Sequence, residues 1–202
     1  MSQELGFSKI GMNRVVDEFV LLKQRLDSIG EEVFLMAGTL LGLIRDGRLI
    51  EYDKDIDLGV MSEDSMEHIL YELGPLYDEA HFTGQEIRNG RILWLKTHFD
   101  GDTLVLPFEI QCHYRQKDLF FYNRRMGKTW KCYETHTEYP VNILKEFTTV
   151  PFAGEMFKVP SPPEAWLDVF FGPDWRTPSN YADWRYHCPI LHGGYMSEWS
   201  NE

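Results

Sequence analysis

The chain has 202 residues, of which 43% are hydrophobic and 14% aromatic. That is enough for a packed core and excludes a disordered chain. Its net charge is −12, whereas proteins that grip a nucleic-acid backbone are basic, so no nucleic acid polymer is expected as a partner.

The length suits a single domain over residues 1–202, with a core over about 12–135 and a C-terminal segment over about 136–202. Val15, Phe19, Leu22, Leu26 and Ile29 recur at helical spacing, which predicts a helix over 12–29 that stops at Gly30. Val33 to Ala37 is a short apolar run, read as a buried strand. Thr39 to Asp46 is expected to be helical and to end at Gly47, and Ile56 to Val60 is expected to be a second strand. Ser62 is placed to cap a helix running to Leu73, with Met66, Ile69, Leu70 and Leu73 inward and Gly74-Pro75 as its end. The middle of the chain reads as β. Arg91 to Phe99 is one candidate strand, and Leu104 to Arg115 alternates throughout. Leu104, Leu106, Phe108, Ile110, Cys112 and Tyr114 fall on one face of it; Val105, Pro107, Glu109, Gln111, His113 and Arg115 fall on a mostly polar one. A hairpin is expected around Asn123 to Gly127, and another over Phe147 to Val159 turning at Ala153-Gly154. Ser161-Pro162-Pro163 then opens a short helix, Glu164 to Phe171, closed by Gly172. The tail from Pro173, rich in aromatics, Pro and Gly, is expected to be irregular but packed down.

Cys112, Cys132 and Cys188 are an odd, sparse set with no C-x-x-C pair, read as reduced thiols of a cytoplasmic protein. His113, His136, His187 and His192 lie near them, but the spacings match no zinc module. The first residues show no signal pattern, and no apolar run has the length of a membrane span, so no transmembrane segment is expected.

The chemistry concentrates in "MAGTLLGLIRDGRLIEYDKDIDLGV", Met36 to Val60. Residues two apart on a strand share a face, so Asp55 and Asp57 point the same way while Ile56 and Leu58 face the core. Their Cα atoms would sit about 6.5–7 Å apart, a separation at which two carboxylates can converge on a hard cation. Oxygen ligands suit Mg2+, which keeps waters and takes substrate phosphates; without a cation the like charges would repel. Gly38-Thr39 follows a strand and opens a helix, where backbone N–H groups favour a phosphate and a glycine allows close approach. One short helix thus separates a phosphate-side turn from a metal-side carboxylate pair.

From "AGTLLGLIRDGRLIEYDKDIDLGV" the chain resembles the LicD/fukutin-related family of the nucleotidyltransferase-fold superfamily. A second, weaker resemblance covers Tyr139 to Pro178, with a hairpin, "VP", and then "FFGPDW". Two departures stand out: members often carry Pro-Trp where Glu51-Tyr52 stands, and Lys54 interrupts the acidic run. The resemblance implies an α+β, nucleotidyltransferase-like fold, a mixed β-sheet flanked by helices with a C-terminal hairpin-helix extension. It further implies a Mg2+-dependent transferase, with Mn2+ able to substitute. Such an enzyme moves a phospho-alcohol such as phosphocholine or ribitol phosphate from a nucleotide-activated CDP-alcohol donor to a hydroxyl of a glycan or related acceptor. Transfer of NMP from an NTP to a small molecule or protein is the alternative, and a non-catalytic nucleotide-binding module a third reading.

In the superfamily the first two carboxylates hold the metal and a third, on a nearby strand, helps activate the acceptor. Asp55 and Asp57 take the first roles, with Asp53 as an auxiliary. Glu109, between Phe108 and Ile110, is the preferred third ligand and base, while Asp100 and Asp102 are rivals in what reads as a turn. For the donor phosphates, Arg45 stands at the family's arginine position, Arg48 and Lys54 lie close in sequence, and Arg115 shares the face of Glu109. The oligomeric state is left open.

Overall fold

The computed structural model describes residues 6–76, 82–88, 91–97, 106–116, 119–126 and 133–178. After a single helical turn, α1 (Phe7–Ile10), the predicted amphipathic segment forms α2 (Met12–Ser28), which buries Val15, Phe19, Leu22 and Leu26. The apolar run that follows contributes only a two-residue strand, β1 (Phe34–Leu35), before α3 (Ala37–Asp46) begins. Gly47 closes α3 in the left-handed conformation with φ 66°, the usual helix stop. Strand β2 (Ile56–Val60) is buried throughout. Helix α4 (Glu63–Leu73) is capped as expected, with the Asp64 N–H donating to Ser62 Oγ at 3.2 Å.

Then come β3 (Phe82–Arg88), β4 (Arg91–Thr97), β5 (Phe108–Gln116), β6 (Leu119–Met126) and β7 (Tyr133–Pro140). Hairpin β8 (Phe147–Phe152) and β9 (Glu155–Pro160) leads into α5 (Pro163–Phe171). Of the described strands, seven form one sheet in the order β1-β2-β5-β4-β3, with β6 joined to β5 and β7 to β6. The β2–β5 pair is parallel and the remaining pairs are antiparallel. Strand β3 and helix α1 carry no expectation from the sequence. The turn of the β6–β7 hairpin from residue 127, the tail from residue 179, Cys132 and Cys188 all lie outside the described residues.

Helix α4 packs on β2, β4 and β5, and α5 packs on α3 and β9. The β8–β9 hairpin closes over β1 and α2, with the Phe157 ring stacked on Phe19 at 4.6 Å and Phe147 5.1 Å from Phe34. The hairpin turn has Ala153 at φ 50° and Gly154 at φ 85°, the positive-φ pair of a two-residue β-hairpin. This is a mixed α+β architecture, with helices flanking a mixed sheet.

The parallel register pairs Ile56 with Phe108, Asp57 with Glu109 and Gly59 with Gln111. With strand alternation, one face of the pair is therefore apolar: Ile56, Leu58, Val60, Phe108, Ile110 and Cys112, all buried. The other face holds Asp57, Gly59, Glu109, Gln111 and His113. It is also buried, with Glu109 and Gln111 each 1% exposed and His113 at 0%. The sequence suggested an ordinary polar face here. The reason for the difference is tertiary: β5 is an inner strand between β2 and β4, and Phe34 folds over from β1. A Cβ on Gly59 would collide with the Phe34 ring, and that ring lies 5.3 Å from the His113 ring. Glycine at 59 lets the aromatic ring reach the backbone and seal the polar row.

Candidate active site

The site is built where the start of α3 meets β2 and β5. Met36 is extended and its N–H donates to the Asp57 carbonyl at 3.2 Å. Ala37 then turns with φ 42°, a conformation L-residues rarely adopt, and the helix begins. Two contacts pin Asp57 to this turn. Its N–H donates to Thr39 Oγ1 at 2.9 Å, and its Oδ2 accepts from the Gly38 N–H at 3.0 Å. The first turn of α3 thus directs an orphan N–H and the positive end of its dipole at the Asp57 carboxylate. Thr39 is buried, so its hydroxyl serves to hold β2.

Asp53 lies beneath the same turn. Its backbone is held by the Phe7 N–H, which donates to the Asp53 carbonyl at 2.8 Å, and its Oδ1 accepts the Lys54 N–H at 2.9 Å. A Cβ added to Gly38 would collide with Asp53 Oδ2. Only glycine permits the helix start and this carboxylate to sit so close. Burial pushes the Asp53 carboxyl up to about 7, and the charges of Asp55 and Glu109 push in the same direction. The Lys54 N–H bond and the Lys54 charge pull it back. Lys54, the residue that breaks the acidic run, is therefore a compensating cation of the cluster. Asp55 is half-buried in the bend just before β2, and Asp57 stands opposite Glu109 across the parallel pair. Four carboxylates from two neighbouring strands and one loop thus share one end of the sheet.

Glu109 Oε1 accepts a hydrogen bond from Gln111 Nε2, a partnership the sequence reading passed over. The signal was present as an amide two residues beyond the acid on an alternating strand. His113, further along the row, has Nε2 3.3 Å from Met36 Sδ. Complete burial lowers it to about 3, which makes it a neutral core imidazole.

The cations are disposed differently. Arg45 forms a bidentate pair with Asp46, Nε to Oδ1 at 2.9 Å and Nη2 to Oδ2 at 2.7 Å. That carboxylate, together with a hydrogen bond from the guanidinium to the Tyr52 oxygen, raises its pKa against the opposing effect of burial. Arg48 is exposed and pairs with Glu51 at 3.3 Å. The side chain of Arg115 lies outside the described residues, as do Asp100 and Asp102. The register of β4 on β5 sets Lys96 opposite Glu109.

Among the described residues no three His, Cys, Asp or Glu side chains close into a preformed metal cage. Mg2+ seldom needs one; it takes one or two carboxylates and fills its shell with water and phosphate oxygens. The donor set fits such an ion. It consists of oxygen-only, like-charged, largely buried groups, one of them forced toward its neutral form by burial first and by its acidic neighbours second.

The family model described as "LicD/FKTN/FKRP, nucleotidyltransferase domain" matches residues 30–162. The chain belongs to this family. It is 31% identical over 154 residues to Ribitol 5-phosphate transferase FKRP of Mus musculus, covering 73% of this chain and 29% of that protein. Identity to the Homo sapiens protein of the same name is 30% over the same length. It is 23% identical over 171 residues to Ribitol-5-phosphate transferase FKTN of Macaca fascicularis, covering 84% of this chain and 34% of that one. The chain thus spans about a third of the length of the curated relatives it matches. The LicD-family match takes in Gly38, the three aspartates, Glu109 and Gln111.

Proposed function

We propose that this LicD-family domain has the nucleotidyltransferase-like fold and transfers a phospho-alcohol, of the ribitol 5-phosphate kind, from a CDP-alcohol to a hydroxyl of a glycan. The observation that carries this reading is the carboxylate cluster itself: Asp57 locked by the N-terminus of α3, facing Glu109 across β2–β5, with Asp53 and Asp55 beside them. Similarity to two ribitol 5-phosphate transferases supports the class of group transferred.

Asp55, Asp57 and Glu109 would hold Mg2+, with Mn2+ able to substitute and Asp53 adjoining. When bound, the ion neutralises charge on the donor phosphates. The chain's own residues do the rest. Gly38 keeps the turn flush so that the Asp53 carboxylate fits against it, while its N–H holds Asp57. Glu109, shielded from water, takes the proton of the acceptor hydroxyl. The resulting oxygen forms a new bond to the phosphorus of the phospho-alcohol. The anhydride P–O bond breaks, and CMP leaves with its electron pair. Lys54 offsets charge at the cluster, because its charge acts on Asp53 while Arg45 is committed to Asp46.

The test is CMP release from CDP-ribitol or CDP-choline by the purified chain with Mg2+, with the acceptor supplied as a ribitol- or hexose-bearing glycan. Asp57→Asn and Asp55→Asn should each abolish release. Wild-type turnover that survives both substitutions, or pyrophosphate release from an NTP with none of CMP from the CDP-alcohols, would reject this reading.

A further inference from the structure

We infer that Gln111 is a positioning residue that sets the orientation of the Glu109 carboxylate for the site. The inference rests on the role given to Glu109 above. Three observations carry it. Gln111 lies two residues beyond Glu109 on the same face of β5, and its Nε2 donates to Glu109 Oε1. Both side chains are 99% or more buried, so no water competes for that bond. Gln111 Oε1, also buried, has no hydrogen-bond partner among the described residues.

A core position on an inner strand is better filled by an aliphatic side chain than by an amide with one end unsatisfied, which costs about 1–3 kcal/mol. The amide at 111 is therefore explained by what it holds. A carboxylate can rotate about its last bond among several orientations. A donor fixed to one oxygen removes that freedom, as outer partners do for ligating carboxylates and imidazoles. The opposing strand supports the arrangement. Gln111 faces Gly59, which has no side chain, so the amide has room to lie along the strand toward Glu109. The Phe34 ring over Gly59 closes this space from solvent.

The experiment reads metal affinity on the full chain, using Mn2+ and the electron paramagnetic resonance signal of the free ion. Gln111→Met keeps length and removes the donor; Gln111→Asn keeps the amide but shortens its reach. With the far-UV spectrum unchanged, each should bind Mn2+ about tenfold more weakly or worse, and Glu109→Gln at least as weakly. A folded Gln111 variant within twofold of wild type, beside a weakened Glu109→Gln, overturns the inference and leaves the role of Glu109 standing. A Glu109→Gln that binds as wild type does overturns both. Should neither Gln111 variant fold, the wild-type chain decides. Its Gln111 side-chain amide protons should shift on Mg2+ addition along the same saturation curve as the Glu109 backbone amide; silence there overturns the inference.

Discussion

Replacing Gly38 by alanine sets two forces against each other. Gly38 is the second residue of α3, and alanine is the better helix former by about 1 kcal/mol. Propensity alone therefore predicts a stabilised protein. The structure predicts otherwise, because the new methyl would occupy the space of Asp53 Oδ2. Asp53 cannot swing into water, being 8% exposed, so it must turn and release the Lys54 N–H. A hydrogen bond to a charged acceptor contributes about 1.5–3 kcal/mol. The difference is a loss of about 0.5–2 kcal/mol, or a fall in Tm of roughly 1–8 °C for a chain of this size.

The effect on function should be far larger. Displacing a carboxylate of the cluster by about 1 Å is enough for a 100-fold loss of turnover. The assay is CMP release from CDP-ribitol alongside thermal melts, with Gly38→Ala/Asp53→Ser as the control. Serine withdraws the colliding oxygen, so the double variant should recover stability without recovering activity, a coupling of the size seen for touching residues. A Gly38→Ala protein that is more stable than wild type and fully active would refute the steric argument.

His113 is held neutral at about 3, below its ordinary value of 6.5. The unfolded chain therefore takes up a proton that the folded one refuses. Its contribution to stability is complete above pH 6.5 and is lost as pH falls toward 3, at about 1.4 kcal/mol per unit. Unfolding free energies from urea melts at pH 6.5 and 5 should differ by about 2 kcal/mol more in wild type than in His113→Gln. Asp53 has the opposite sign, since its folded value is raised to about 7. Its charge opposes folding above that pH, so Asp53→Asn should raise the Tm of the metal-free chain at pH 8, and Mg2+ should narrow the gap. Ala153→Asn, at a positive-φ hairpin position, should stabilise by about 0.5–1 kcal/mol in the same melts.

Local features were readable from the chain. The helical spacing from Val15 to Leu26, the Ser62 cap, the Gly47 stop and the Ala153-Gly154 turn are short-range matters, and each recurs in the structure. So is the alternation that separates Asp57 from Ile56 and Leu58. What sequence did not disclose depends on partners remote in the chain. That β5 is an inner strand, and hence that Glu109, Gln111 and His113 are dry, follows from pairing with β2 and β4. That Arg45 is bound by its own neighbour Asp46 is a rotamer choice no motif specifies.

The same reasoning accounts for the most improbable piece of the chain, a run of acids at the entrance to a buried strand. Carboxylates in such a place are tolerable only if something satisfies them, and Asp57, Asp53 and Glu109 are each met by a different donor. Asp57 takes the N–H of an α3 turn whose entry is bent at Ala37; Asp53 takes the N–H and the charge of Lys54; Glu109 takes the amide of Gln111. None of these partners neutralises the cluster outright. Lys54 offsets one charge at most, and backbone and amide donors carry none. Acids gathered at one end of a parallel strand pair are what a divalent cation and a chain of donor phosphates would use together. Neither alone suffices, because phosphates without the ion would be repelled by the same carboxylates that position it.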